Sequence, residues 1–84
     1  MNKVSEKDVM KIWEESELKL DVYYGKMLVV ACQLPNGFVI VESSGALSEE
    51  NFNLDIGLEC CRNRIIDKIW AYLGYMKAEE IYKK

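Results

Sequence analysis

MLVVACQLPNGFVIVES, residues 27–43, reads as two strands and the turn between them. Pro35 presets the first turn position, and Asn36-Gly37 supplies the positive φ angles of a tight hairpin. Residues 27–34 form a continuous run with β-branched side chains, apolar except for Gln33, which predicts a strand covered on both faces or nearly so. Residues 38–43 make the return strand. Upstream, KLDVYY at residues 19–24, followed by Gly25-Lys26, adds a third strand to an antiparallel meander. Ser43-Ser44-Gly45 ends the sheet.

Helices flank this unit. Ser5 with Asp8 three residues on is an approximate capping box. Val9, Ile12, Trp13 and Ser16 then share one face, so a short helix is expected over residues 6–17, held by packing through Trp13. After the sheet, Ser48 is a candidate N-cap, with Glu49 and Glu50 suited to the positive end of a helix dipole. NFNLDIGLECCRNRIIDKIWAYLGY, residues 51–75, is the longest helix candidate. Gly57 costs about 1 kcal/mol there relative to Ala, and close approach of another backbone would explain it. Gly74 is a candidate bend or end, after which residues 76–82 can resume the helix.

The long helix carries two apolar stripes at 100° per residue. Phe52, Ile56, Ile66 and Trp70 make one; Leu58, Ile65, Ile69 and Met76 make the other. One helix on one small sheet buries one stripe, so the second is expected at a subunit contact in a homodimer or larger assembly. Glu59, Arg62 and Asn63 lie within the broad apolar arc. The fold class is therefore α+β: a short N-terminal helix, a small antiparallel hairpin or meander sheet, and a long C-terminal helix packed on it, in one domain over residues 1–84.

With 84 residues, half of them hydrophobic, the chain carries surplus apolar surface for its size. Its net charge of −3 argues against a nucleic-acid polymer as partner. No apolar run is long enough for a membrane span and the N-terminus lacks a signal-peptide core, so the cytoplasm is the expected location. There is no histidine, which removes imidazole acid–base chemistry and the common zinc sites. Cys32, Cys60 and Cys61 are a poor disulfide framework and read as small helix and strand residues rather than metal ligands. Nucleophile elbows, Walker loops and Cys–His pairs are absent. No cofactor, metal or catalytic residue is expected, and the chain is not expected to be an enzyme. Glu49 and Glu50 read as helix-start charges, and Lys77, Lys83 and Lys84 as solvated tail charges.

Two readings are open for Glu59, Arg62 and Asn63. In one, Glu59 and Arg62 form an ordinary i,i+3 ion pair and Asn63 bonds to backbone. In the other, Arg62 and Asn63 line a pocket, with Arg64 assisting from the edge and aromatics such as Phe52, Trp70, Tyr23, Tyr24 and Phe38 at hand. Arginine for phosphate and an aromatic for stacking are the equipment of a nucleotide site.

The ordered set Asn36-Gly37-Phe38, Ser43 or Ser44, Glu50-Asn51-Phe52, Gly57, Arg62, Lys68-Ile69-Trp70 and Gly74-Tyr75 resembles a small tailed-phage family of the gene-forty-nine and gene-sixty-six type, over residues 23–75. That family is similar in turn to the first-type Thoeris anti-defence (Tad) sponges. The resemblance implies a phage-encoded protein in the host bacterial cytoplasm. It would hold a small-molecule cyclic nucleotide, a cyclic ADP-ribose isomer, without cleaving it; some relatives also hold cyclic oligonucleotides at separate sites. The alternative is a small phage protein that binds and inhibits a host protein. In the sponge reading the pocket forms where subunits meet. Arg62 and Arg64 contact phosphates, Asn63, Ser43 and Ser44 supply neutral hydrogen bonds, and Phe52 or a neighbouring aromatic stacks on the base. The chain departs from the family pattern beside that pocket: Arg64 and Ile65 stand in place of Asn and a small Ala, and Glu42 in place of Gly before the serine.

Overall fold

The computed structural model describes residues 3–83; the tail charge Lys84 lies outside them. Helix α1 spans Glu6–Glu14, strands β1, β2 and β3 span Glu17–Tyr23, Met27–Gln33 and Val39–Gly45, and helix α2 spans Leu54–Tyr82, after a single 3-10 turn at Glu49–Asn51. The strands form one antiparallel sheet in the order β1-β2-β3. This is the expected α+β architecture.

Each element has a local cause. The Ser5 hydroxyl accepts the Asp8 N–H at 3.2 Å and starts α1. The helix stops at Glu14, short of the expected residue 17, because Glu17 already pairs with Gln33 in the sheet. In the β2–β3 turn only Gly37 takes a positive φ, of 94°. Asn36 instead turns its side chain onto the backbone, accepting the Phe38 N–H at 3.0 Å, while Gly37 N–H bonds to Leu34 C=O. That is a type I turn followed by a left-handed residue, the usual three-residue hairpin loop. The β1–β2 turn places Tyr24 at φ 56° and Gly25 at φ 67°, the conformation of a type I′ turn.

The N-cap of α2 is Asn53, whose side chain accepts the Ile56 N–H at 3.0 Å. Ser48 precedes the 3-10 turn and makes no side-chain cap bond. The helix then runs through Gly74 without ending.

Directly paired residues share a face of an antiparallel sheet. One face of this sheet therefore carries Leu18, Leu20 and Val22, then Cys32, Val30 and Leu28, then Ile40, Glu42 and Ser44. Helix α2 crosses this face over β2 and β3, with α1 packed beside it. The core is Val9, Leu28, Val30, Cys32, Ile40, Cys61, Ile65 and Ile69. Each large aliphatic member contributes about 1.5–3 kcal/mol by leaving water.

Two expectations are corrected here. Strand β2 is covered on one face only, with Leu28, Val30 and Cys32 buried and the alternate residues not, because both helices lie on the same side of the sheet. Ile65 and Ile69 of the second stripe are not at a subunit contact, since both are buried in the chain's own core; Leu58 is partly buried against that core and Met76 is exposed. The helix turns Gly57, Cys61, Ile65 and Ile69 inward; small residues at the first two positions let its axis approach the sheet. Of the other stripe, Phe52 and Ile66 are partly buried against the core, while Ile56 and Trp70 are exposed.

Candidate functional site

Arg62 and Arg64 are separated by about 200° around a helix, and the two side chains go to different neighbours. Arg62 leans toward α1, its guanidinium carbon 5.8 Å from the Trp13 ring centroid. Its Nη1 donates to Asn63 Oδ1 at 3.4 Å, and its nearest carboxylate oxygen, on Glu59, is 4.0 Å away. The side chain is 35% exposed. Glu59 therefore satisfies it weakly, and the guanidinium keeps a face toward solvent. Glu59 and Asn63 themselves are on the open side of the helix rather than within the packed arc.

Arg64 goes to the sheet and donates to the Ser43 carbonyl at 2.6 Å. The ladder register explains why that oxygen is free. Leu34 N–H bonds to Phe38 C=O, and Ala46 N–H to Lys26 C=O. Hydrogen-bonded pairs alternate with non-bonded ones, so the Ser43–Val29 pair is non-bonded and the Ser43 carbonyl points out from the edge of β3. One residue earlier, Glu42 lies on the covered face and pairs with Lys68 at 2.5 Å. This hydrogen bond holds the Lys68 ammonium above its ordinary pKa. Phe38 and Tyr72 complete the seam edge to face, with centroids 5.4 Å apart. Ser44 sits under α2 beside Gly57, and Phe52 packs on the core from the connecting segment.

The six expected site residues thus divide. Arg62 and Asn63 act together; Arg64 and Ser43 form a separate tether; Ser44 and Phe52 serve the helix–sheet packing. The ring that meets Arg62 is Trp13, a contact that no local pattern signals because 49 positions separate the two residues. Burial pushes the Cys32 thiol up, and the Cys61 thiol too, Arg64 pulling the latter partly back. Among the described residues no group of acidic, cysteine or histidine side chains is placed to hold a metal ion.

A second feature lies at the other end of α2. An open groove of about 400 Å³ runs between the hairpin turn, α1 and the C-terminal half of α2, with Phe38, Ile69, Tyr72, Leu73, Tyr75 and Met76 among its lining residues. It is almost wholly apolar, and none of the expected site residues lines it. It continues into a groove edged by charges of both signs, including Asp8, Lys11, Lys77 and Glu80.

Together these features define a small α+β protein with one accessible arginine–aromatic surface and one apolar groove. Residues 2–81 match the Phage protein (N4 Gp49/phage Sf6 gene 66) family, and the chain belongs to that family. No curated protein and no solved structure matches it. Among the described residues no helix is long and apolar enough to cross a membrane.

Proposed function

We propose that this phage protein is an anti-defence sponge. It binds a cyclic nucleotide signal, a cyclic ADP-ribose isomer or a cyclic oligonucleotide, in the host cytoplasm and withholds it without a chemical step. The observation that supports the reading is the Arg62 guanidinium, held between the Trp13 ring and Asn63 with its ion-pair partner, Glu59, at 4.0 Å. A planar, weakly paired guanidinium recognises phosphate bidentately, and Asn63 adds a neutral donor and acceptor next to it. In one chain this surface is open. A further subunit closing over it would exclude water and strengthen the phosphate contact. Trp13 takes the role expected of Phe52 beside the arginine, and Arg64 keeps the sheet edge rather than the ligand.

Calorimetric titration with a panel of cyclic ADP-ribose isomers and cyclic oligonucleotides tests this. At nanomolar affinity the complex is worth about −12 kcal/mol. Losing two charge-assisted hydrogen bonds at about 1.5–3 kcal/mol each makes Arg62→Ala weaker by at least a hundredfold, with an unchanged circular dichroism spectrum. Ligand recovered from the denatured complex should have its original mass. Equal affinity in parent and variant, or a chemically altered ligand, refutes the reading. If no member of the panel binds while a host protein co-purifies in fixed stoichiometry, the inhibitor alternative replaces it.

A further inference from the structure

We propose that the apolar groove between the hairpin turn, α1 and the C-terminal half of α2 is a binding site for an uncharged, flat heteroaromatic small molecule, seated against Phe38, Tyr72 and Tyr75. The proposal stands on the groove alone and is independent of the ligand reading at Arg62. Met76 and Arg62 are 14 residues apart, about 21 Å along the helix, and Arg62 does not line the groove.

The size suits a small molecule and not a macromolecule. The groove holds about 400 Å³, inside the roughly 300–1,000 Å³ range of small-molecule sites. Its exposed apolar walls are Phe38, Tyr72, Tyr75 and Met76. At about 150–250 Å² for a whole aromatic side chain, and roughly half exposed, they offer on the order of 400 Å². A standard protein interface takes about 800 Å² from each partner, so these walls are too small for one. They are also set before any ligand arrives. Leu34 N–H donates to Phe38 C=O and Gly37 N–H to Leu34 C=O, both at 2.8 Å. These bonds fix the turn that carries Phe38, and a site already formed loses little freedom on binding.

The lining sets the chemistry of the occupant. Among the described residues none that lines this groove carries a charge, so an ionised ligand would lose its water with no partner to replace it. The charges of the adjoining groove, Asp8, Lys11, Lys77 and Glu80 among them, are of both signs and favour neither anion nor cation. Ring geometry selects a flat guest. Phe38 and Tyr72 stand at 86° to one another with centroids 5.4 Å apart. A planar molecule lying parallel to one of these rings therefore meets the other at a right angle. Offset stacking and edge-to-face contact are both favoured aromatic arrangements, and this corner supplies the two together. The Met76 thioether adds a polarisable, adaptable wall. One polar anchor stands at the turn: Asn36 Oδ1 already accepts the Phe38 N–H at 3.0 Å, which leaves the amide NH2 as the donor. The guest is thus a heteroaromatic with an acceptor at that end, rather than a plain hydrocarbon.

Three probes of one shape test this by fluorescence titration in mildly alkaline buffer: acridine, which is uncharged there, the cation 10-methylacridinium and the anion acridine-9-carboxylate. Acridine should bind saturably, one molecule per chain, and both charged analogues about tenfold more weakly or worse. Met76→Glu, which puts an unpaired charge into the groove, should weaken acridine by about tenfold with an unchanged circular dichroism spectrum. Asn36→Asp keeps the acceptor for Phe38 N–H but removes the donor, and should weaken acridine severalfold. Arg62→Ala and Val41→Glu, the latter on the opposite face of the sheet, should leave acridine binding unchanged. No saturable binding of acridine, equal binding of the charged analogues, parental affinity in Met76→Glu, or loss of binding in Val41→Glu overturns the proposal. Should Met76→Glu fail to fold, Tyr75→Ala, which removes a side chain that is 69% exposed, carries the same expectation and decides in its place.

Discussion

Gly57 is the position where the structure makes the most quantitative demand. It is buried in α2 where that helix crosses the sheet. A glycine there suggests that another backbone lies too close for any side chain. The structure gives a different answer: a methyl group at Gly57 would meet Leu28 Cδ2 at 3.5 Å, Leu28 Cβ at 3.6 Å and Ser44 Cβ at 3.9 Å. These are ordinary van der Waals distances to side chains, so Ala fits without displacement. Gly57→Ala should then gain the intrinsic helix preference, about 0.8–1.0 kcal/mol, plus a small term for the contacts.

For 84 residues at about 2.1 cal/mol/K per residue, the unfolding entropy is roughly 180 cal/mol/K, and 1 kcal/mol raises Tm by about 5–6 °C. Gly74→Ala supplies the control. It is in the same helix, with nothing within 4 Å of the added carbon, and measures the preference alone. The sites are about 26 Å apart along the helix, so the double variant should show additive gains. Gly57→Leu, which must displace Leu28, should lose about 1–3 kcal/mol. Thermal melts followed at 222 nm read all four. If Gly57→Ala melts below the parent while Gly74→Ala melts above it, the helix is seated more tightly on the sheet than these distances allow.

Other outcomes follow from local features. Tyr24 holds a left-handed backbone that costs a non-glycine residue about 1–2 kcal/mol, and its side chain is exposed; Tyr24→Asn should raise stability by about 1 kcal/mol, read as a higher urea midpoint at constant slope. Lys68 is held above its ordinary pKa of 10.5 by its hydrogen bond to Glu42. Its contribution is therefore complete below that value and lost as pH rises through the higher folded value. The stability gap between parent and Lys68→Met, measured by urea unfolding, should be constant from pH 7 to about pH 9.5 and close above about pH 10.5. A thiol reagent at pH 7.5 should modify Cys60 first and reach the buried Cys32 and Cys61 only on the timescale of unfolding.

The fold was legible where chemistry is local. The Pro35-Asn36-Gly37 turn and the Ser5 cap rest on neighbours within four residues, and the hairpin strands follow from that turn; each is found. What failed depends on long-range placement. Helical spacing gives the angle between Ile65 and Ile66 but not which of them faces the sheet, and that choice followed the small residues Gly57 and Cys61. The run at residues 27–34 looks doubly covered because an apolar residue facing an unoccupied side of a sheet reads the same as a buried one. Of the expected site, the adjacent pair Arg62 and Asn63 stays together. Arg64 was grouped with Arg62 by sequence proximity, although two helical positions point apart. Trp13 and the groove around Tyr72 and Met76 were beyond reach, since their neighbours come from three separate elements.

The Arg64 tether has a bearing on how the chain behaves in a crowd. β3 is a free edge, and an incoming strand would need its outward carbonyls as acceptors. At Ser43 that acceptor is already taken by a guanidinium whose bulk overlies the edge. Strand β1, the opposite edge, carries Glu17, Lys19 and Asp21, whose charges discourage stacking by repulsion and solvation. One edge is thus stoppered and the other is kept wet. The helix that packs the core thus also obstructs strand-by-strand growth of a sheet whose other face is uncovered, Val39 and Val41 among its exposed residues.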